Sequence, residues 1–378
     1  MTKMIKMSLI AATAVVGMSS TASAQNLEDA IKGVEVSGYV DYRNEVQSGD
    51  QTGTDVNEYA VNVTLTSKVN DMVKATVSAG FDEVVSSNKT AADTSAPVGV
   101  DQAYFTFDTG FATVMAGKQN IPSVFVDQAD TVAKGTGLVA LKPVNDALTV
   151  AVAHFMQTNL KVGGTPNGAS VDTLYDVKTT ELVALGKVSM VNYEAHYNMT
   201  SLDNTELKGM FLNVGADLGV AKVMGQTASM DSDATGTKTG KVTILGVSGK
   251  AGSIALDAKY FMGKDNNSVD VSLNGDNDSK AHAKVWQAST AGSTDMTGFV
   301  VTAGTKIGDV DAKLVYAAAS DDTSATSTTD YTELMPMVTY KMSKNFMLHA
   351  RYSMLTKSVT GTADKDLNKS RLEVKYTF

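Results

Sequence analysis

The sequence predicts an all-β fold: a transmembrane antiparallel β-barrel of about 18 strands, with a short N-terminal helix and one long loop folded inward. Three observations predict it. Apolar and polar side chains alternate along many segments, as strands between lipid and water require. Short turns and long polar connections alternate between these segments. The mean hydropathy of −0.07 lies near zero, as it does when two such faces are averaged.

The first predicted strand shows the alternation most clearly. From Val34 onward, apolar residues alternate with polar residues that include Glu35, Asp41 and Arg43. A packed core would not accept these charges, whereas a water-filled lumen would. Residues 26–33, just before it, have an Asn N-cap, early acidic residues and a final glycine, which predicts a short helix. The predicted pore-lining residues are Glu35, Asp41, Arg43, Lys118 and Arg351.

The connections between predicted strands fall into two sets. Turn-forming residues predict short turns near residues 69–72, 108–110, 143–146, 186–189, 217–219, 250–253, 307–309 and 342–345. The predicted long connections are residues 48–57, 86–99, 120–137, 158–179, 201–208, 231–240, 263–296, 320–330 and 357–367. Short turns on one side and long loops on the other are typical of a membrane barrel.

Two soluble folds are the alternatives. A β-sandwich usually has fewer strands per core, and the sequence has no fixed-period repeat of the kind that a β-helix requires. Because the chain has no cysteine, the hydrogen-bonded sheet itself must supply its stability. The formal net charge of −9 argues against nucleic acid as a partner.

The chain ends on an alternating segment whose last residue is aromatic. Leu372, Val374, Tyr376 and Phe378 alternate with charged and polar residues. This pattern favours a last strand that closes a barrel in a membrane, although a soluble antiparallel sheet could end in the same way. We expect the barrel-assembly machinery to recognise Phe378.

The first 24 residues have the pattern of a cleaved signal peptide. Two lysines precede an apolar run over residues 7–18, and Ala22 and Ala24 supply small residues for cleavage. A membrane anchor is the alternative, but the run is short for a span. We predict a signal peptide at 1–24 and a barrel at 25–378, located in the outer membrane of a Gram-negative bacterium.

The sequence has no recognisable catalytic motif. His154, His196, His282 and His349 have neither metal-ligand spacing nor a nearby G-x-S-x-G motif, and no phosphate-binding glycine motif precedes a helix. The sequence therefore predicts that the protein is not an enzyme and that it requires no cofactor.

The connection 120–137 differs from the other long loops because it mixes apolar and acidic residues. A wide barrel leaves room for such a segment to fold inward and narrow the channel. Acidic side chains there would favour cations. An external loop that contacts a neighbouring subunit is the alternative. The predicted pore-constriction residues are Asp127, Asp130 and Lys134.

Several segments resemble the Campylobacter-type major outer membrane porin family of epsilonproteobacteria. They are residues 27–32 running into 34–38, residues 116–119, residues 135–137, Arg371-Leu372 and the terminal Tyr376-Thr377-Phe378. The resemblance implies an 18-stranded, trimeric, cation-preferring porin whose third external loop enters the pore. It also implies a bound calcium ion there in some members, for which Asp127 and Asp130 are the candidate ligands.

The predicted function is therefore that of an outer-membrane porin. It would form a water-filled channel for passive diffusion of small hydrophilic solutes and ions, with a preference for cations. Its expected partners are outer-membrane lipid and two further copies in a homotrimer. The alternative is a barrel-anchored surface adhesin or structural outer-membrane protein, which predicts a plugged lumen.

Overall fold

The chain forms one continuous sheet. The computed structural model describes residues 33–50, 55–86, 98–127, 133–160, 177–202, 205–273, 279–324 and 326–378. Within them, eighteen strands pair with their sequence neighbours, all antiparallel. The strands are β1 Val34–Gly49, β2 Val56–Lys68, β3 Val73–Ser86, β4 Gly99–Asp108, β5 Thr113–Asn120, β6 Lys134–Asn145, β7 Leu148–Thr158, β8 Lys178–Val188, β9 Val191–Leu202, β10 Thr205–Asp217, β11 Ala221–Ser232, β12 Gly240–Ala251, β13 Ile254–Lys264, β14 Asp295–Ile307, β15 Val310–Ser324, β16 Ser327–Ser343, β17 Phe346–Val359 and β18 Lys365–Thr377.

The sheet closes through its first and last strands. β1 pairs with β2 on one side and with β18 on the other. Phe378 N donates to Gly38 O at 3.0 Å, and Gly38 N donates to Phe378 O at 3.1 Å, so the last residue takes part in the closure. A closed sheet satisfies its backbone groups internally, as a lipid environment demands. The predicted antiparallel barrel of 18 strands is confirmed.

The two faces of the wall differ as the alternation predicts. On β1, Val40 and Tyr42 point outward and are 45% and 42% exposed, whereas Asp41 between them points inward and is 3% exposed. Exposed apolar residues continue around the outside. Because they would be unfavourable in water, this band is the lipid-facing surface. It includes Phe105, Leu138, Met210, Leu245, Tyr260, Phe299, Leu314, Tyr352 and Leu372.

The short connections lie at one end of the barrel, where glycines complete tight turns. Gly110, Gly219, Gly252 and Gly308 have φ between 61° and 83°, a region that is strained for residues with a Cβ. The carboxylate of Asp217 accepts a hydrogen bond from Gly219 N at 3.0 Å. The short turns predicted at these positions are present. The longer loops lie at the other end, which in bacterial barrels is the outer end.

Three connections that were predicted to be long are short. Two residues separate β9 from β10 and β15 from β16, and five separate β17 from β18. The corresponding predictions were 201–208, 320–330 and 357–367. At the outer end a strand extends beyond the lipid, where both faces contact water, so polar residues on both faces do not end it. The hydropathy alternation therefore ends before the strand does.

The N-terminal predictions fall outside the described residues. These are the signal peptide at 1–24 and, apart from Gly33, the helix at 26–33. None of the described residues belongs to a helix that is long and apolar enough to cross a membrane.

Candidate functional site

Two connections at the outer end fold into the barrel. One joins β5 to β6 and the other joins β13 to β14. Phe125 and Val126 of the first and Val271, Leu273 and Ala281 of the second are fully buried. Loop residues of this apolar kind leave water when the lumen offers them a surface to pack against. We call residues 121–127 the first inward loop and residues 265–273 with 279–294 the second inward loop.

The two inward loops contact each other inside the lumen. Leu273 N donates to Phe125 O at 2.8 Å, and Ala281 N donates to Val124 O at 3.2 Å. Asp127 and Ser279 form an isolated antiparallel bridge. These backbone hydrogen bonds join the two loops into one body that narrows the lumen.

Phe125 seats the first inward loop on the wall. Its ring packs where β10 has a glycine: a Cβ at Gly209 would lie 2.8 Å from Phe125 Cε2 and Cζ. The absence of a side chain at Gly209 therefore makes the space that the ring fills. The surrounding inward face, which includes Phe211 and Met230, is also buried.

We expect Gly209→Ala to unseat this loop. A methyl group there would clash with a fully buried ring, and overpacking of this kind costs about 1 to 3 kcal/mol. The purified barrel should unfold at a lower temperature in detergent. Gly225→Ala on β11 is the matched control, because its Cβ would meet only Leu245 Cδ2 at 3.6 Å. Equal thermal midpoints for the two variants would contradict this packing.

A buried polar network lies on the inward faces of β8 and β9. Glu181, which is 1% exposed, accepts a hydrogen bond from Asn198 Nδ2 at 2.6 Å and lies 2.8 Å from His196 Nδ1. His196 Nε2 lies 3.1 Å from Glu194 Oε1. Glu194 also pairs with Lys280 of the second inward loop. Carboxylates of this wall thus hold a loop in place through charge-assisted hydrogen bonds.

The second inward loop crosses the lumen from this wall to the opposite one. On the near side, Gln226 Nε2 donates to Lys280 O at 2.8 Å. On the far side, the carboxylate of Glu333 accepts hydrogen bonds from Gln287 N at 3.2 Å and Ala288 N at 3.0 Å. Ser353 Oγ donates to the same carboxylate at 2.7 Å. Glu333 is fully buried, and its carboxylate joins the second inward loop to β16 and, through Ser353, to β17.

Trp286, the only tryptophan of the chain, lies beside this contact. Arg351 Cζ is 3.7 Å from the centre of its ring, Lys369 Nζ is 4.7 Å away and Arg371 Cζ is 5.5 Å away. Cations over an indole face are attracted by its π electrons. The three cations therefore hold the loop against β17 and β18 and place positive charge beside it.

A ladder of ion pairs continues along the inward faces of β1, β2 and β18. Arg43 lies 3.0 Å from Asp41, 3.1 Å from Glu58 and 3.8 Å from Glu373. Higher on β1, Glu45 pairs with Arg371 and with Lys369, the latter at 2.6 Å. Arg351 lies on the neighbouring strand β17, so all three arginines of the chain lie on the part of the wall from β17 through β18 to β1.

Four of the five predicted pore-lining residues lie on inward faces. Glu35 shares the face of Asp41 and Arg43 on β1, and Arg351 lies on the inward face of β17. Lys118 is the exception, and its predicted pore-lining position is wrong. The inward place on β5 is taken by Gln119, which is buried, and strand alternation turns Lys118 outward.

Of the three predicted constriction residues, Asp127 is the one that the structure describes in the first inward loop. Asp127 is 6% exposed at the contact between the loops. Asp130 lies outside the described residues. Lys134 begins β6 and so belongs to the wall instead of the loop, where its Nζ lies 3.6 Å from Asp101 Oδ1.

The described residues do not test the predicted calcium site. Calcium takes six to eight oxygen ligands, and Asp127 is the one predicted ligand that is described. No group of three or more His, Cys, Asp or Glu residues within the described ranges could hold a metal. Calcium binding by Asp127 with Asp130 stays a prediction.

On the turn side of the loops, the lumen contains open space. A cavity of about 720 Å³ lies against the wall from β10 to β15. Its lining includes Lys222, Lys250, Asp257 and Lys313. Charged side chains around an open volume are compatible with water and solutes.

A closed barrel with a lipid-facing band, a charged inner face and loops folded into the lumen defines a class of outer-membrane β-barrel proteins. Within that class, the chain belongs to the Campylobacter major outer membrane protein family, whose sequence model matches residues 2–330. The predicted family resemblance is confirmed. No curated protein matches the chain.

Solved structures support the fold. OccAB4 of Acinetobacter baumannii has a TM-score of 0.68 and 14% identity, covering 91% of this chain and 98% of that chain. OccK3 (OpdO) of Pseudomonas aeruginosa has a TM-score of 0.68 and 15% identity, covering 93% and 97%. OpdK of Pseudomonas aeruginosa, solved with vanillate, has a TM-score of 0.69 and 11% identity, covering 92% and 99%.

Proposed function

We propose that the protein is a porin through which small hydrophilic solutes and ions diffuse passively across the outer membrane. The observation that carries the proposal is the pair of inward loops, which narrow a lumen whose walls are charged. Solutes would pass between these loops and the wall into the open space on the turn side. Family membership supports the outer-membrane setting.

Planar-bilayer recording tests this function. Purified, folded protein should produce discrete conductance steps that scale with salt concentration, as expected for a water-filled path. Folded protein that inserts but gives no steps would reject the channel.

We also propose a modest preference for cations. The net charge of −9 and the acidic residues of the loop between β5 and β6 favour it. The arginines and lysines around Trp286 oppose it, and Asp127 is shielded by the second inward loop. The balance of these charges leads us to expect a cation-to-anion permeability ratio of only a few.

Asp127→Asn combined with Asp130→Asn should lower that ratio. The double change removes two negative charges from the constriction loop while keeping side-chain size. The reversal potential in a KCl gradient would move toward zero. The matched control is Glu206→Gln with Asp231→Asn, which neutralises two acids near the outer end of the wall. An unchanged reversal potential in the loop variant would place the filter elsewhere.

A barrel-anchored adhesin is the second candidate, favoured by the amount of lumen that the two loops occupy. It requires that the loops close the path completely. The same bilayer recording separates the candidates, because a closed barrel gives no conductance. The proposal further includes the signal peptide at 1–24, a homotrimer, and recognition of Phe378 during barrel assembly.

A further inference from the structure

The outward face carries charge unevenly at the outer end of the barrel. On β13, Tyr260, Met262 and Lys264 alternate on the outward face, so the lysine lies just above the apolar band. The same register places other lysines outward on strands β5 to β13. These lysines, which we call the basic rim, are Lys118, Lys178, Lys208, Lys241 and Lys264.

The other half of the barrel carries acids at this height. Outward-facing aspartates lie near the outer ends of β14, β15, β16 and β18. They are Asp295, Asp322, Asp330 and Asp366. Glu206 and Asp231 also face outward among the basic rim, and Asp231 is the register partner of Lys208. The named lysines outnumber these two acids on strands β5 to β13, whereas the named outward charges on β14 to β18 are all negative.

Lys241 and Lys264 form the end of the basic rim that adjoins the acidic half, on strands β12 and β13. They are direct partners in the register between β12 and β13, and both are exposed. On its other side, Lys264 is the direct register partner of Asp295 on β14. Side chains that oppose each other in an antiparallel pair have Cβ atoms about 5 Å apart, and like charges there destabilise the sheet. Within the described residues, neither ammonium group forms an ion pair at 4.0 Å or less. An anion between them would remove the repulsion.

Two other lysines of the basic rim have hydrogen-bond or ion-pair partners. Lys208 Nζ lies 3.4 Å from Glu206 Oε1, and Lys118 Nζ donates to Val100 O at 2.6 Å. Lys241 and Lys264 instead have no carboxylate within 4.0 Å among the described residues, and Asp295 is the acid that faces Lys264 in the register. The anion site is therefore between Lys241 and Lys264.

The position of this pair determines which anion it meets. It lies on the lipid side of the wall, at the boundary between the apolar band and the outer medium, where lipid headgroups lie. Lysines at such a boundary bind anionic headgroups, and phosphate is the group that an ammonium pair matches. We infer that Lys241 and Lys264 bind the phosphate of an outer-leaflet lipid, and that lipid phosphates order along the basic rim in preference to the acidic half.

Lipid binding to the purified protein tests this inference. Bisphosphorylated lipid A is added to delipidated protein in detergent, and bound lipid is counted by native mass spectrometry. The double variant Lys241→Gln/Lys264→Gln should bind at least about tenfold more weakly, since each lysine near an anionic headgroup contributes a several-fold effect. Lys241→Arg/Lys264→Arg should retain binding. Dephosphorylated lipid A should bind the wild type as weakly as the Gln variant binds the phosphorylated form.

The matched control is Lys259→Gln/Lys313→Gln, which makes the same change of net charge on the inward face. An equal loss of lipid in this control would overturn the inference, as would unchanged binding by the Lys241/Lys264 variant. Displacement of the lipid by millimolar orthophosphate alone would show a free-anion site instead and also overturn it. So would a change in oligomeric mass with lipid binding intact, because the face would then join copies of the chain.

Discussion

Glu333→Ala should give a channel with a larger and noisier single-channel conductance than the wild type. The carboxylate of Glu333 accepts hydrogen bonds from Gln287 N, Ala288 N and Ser353 Oγ. Each hydrogen bond to a charged group contributes about 1.5 to 3 kcal/mol, so its loss loosens the far end of the second inward loop, which keeps the bonds from Gln287 Nε2 to Ser353 Oγ and Leu367 O. Because that end crosses the lumen, its loosening widens the path and lets the loop fluctuate.

Bilayer recording of Glu333→Ala and Glu333→Gln measures this effect. Glutamine keeps one acceptor oxygen and should give an intermediate conductance. Glu206→Ala is the control, since this glutamate lies on the outer end of β10 and pairs with Lys208. A folded Glu333→Ala barrel with wild-type conductance and noise would show that the loop does not set the bore.

Arg351→Gln combined with Arg371→Gln should make the channel strongly cation-selective. The two guanidinium groups lie near Trp286, where the second inward loop meets the wall. Removing them deletes two positive charges from the narrow region. Of the two cationic partners of Glu45, Lys369 remains and Arg371 is lost. Charged groups at a constriction bias the ions that pass.

In this variant the reversal potential in a KCl gradient should shift toward the potassium equilibrium value. The size of this shift should exceed that of the opposite shift expected for Asp127→Asn/Asp130→Asn. Lys118→Gln/Lys208→Gln removes two positive charges from the outward face and serves as the control. An unchanged reversal potential in the arginine variant would show that ions do not pass along this wall.

The fold could be predicted because one physical requirement applies along the whole chain. Lipid outside and water inside force a two-residue alternation, and residues such as Val40, Asp41 and Tyr42 show it without any tertiary information. Turn glycines such as Gly219 then marked the short connections. The alternation does not fix where a strand ends once it leaves the lipid, which is why the connections after β9, β15 and β17 were predicted too long.

The site was predicted only in part. The apolar residues beside Asp127 correctly drew attention to the first inward loop, but the second one was missed. A signal for it existed: Val269, Val271 and Leu273 alternate within a long connection that also contains Trp286. Which loop enters, and which wall residue holds it, depends on contacts between segments far apart in sequence, such as Glu333 with Ala288.

Lys118 shows that a short segment of sequence does not assign the face of a strand. Lys118 was predicted to line the pore, yet its neighbour Gln119 takes the inward position. A shift of one residue exchanges the two faces of a strand completely. Only the pairing of β5 with β4 and β6 settles the register.

Thiol accessibility in a conducting channel tests most directly that the barrel encloses water and excludes lipid. The chain has no cysteine, so a single introduced thiol is its only reactive one. Lys259 points inward and its neighbour Tyr260 points outward on β13. In Lys259→Cys, a charged, membrane-impermeant thiol reagent should react and reduce the current, whereas Tyr260→Cys in a bilayer should neither react nor change. Reaction at the outward position with protection of the inward one would contradict the account.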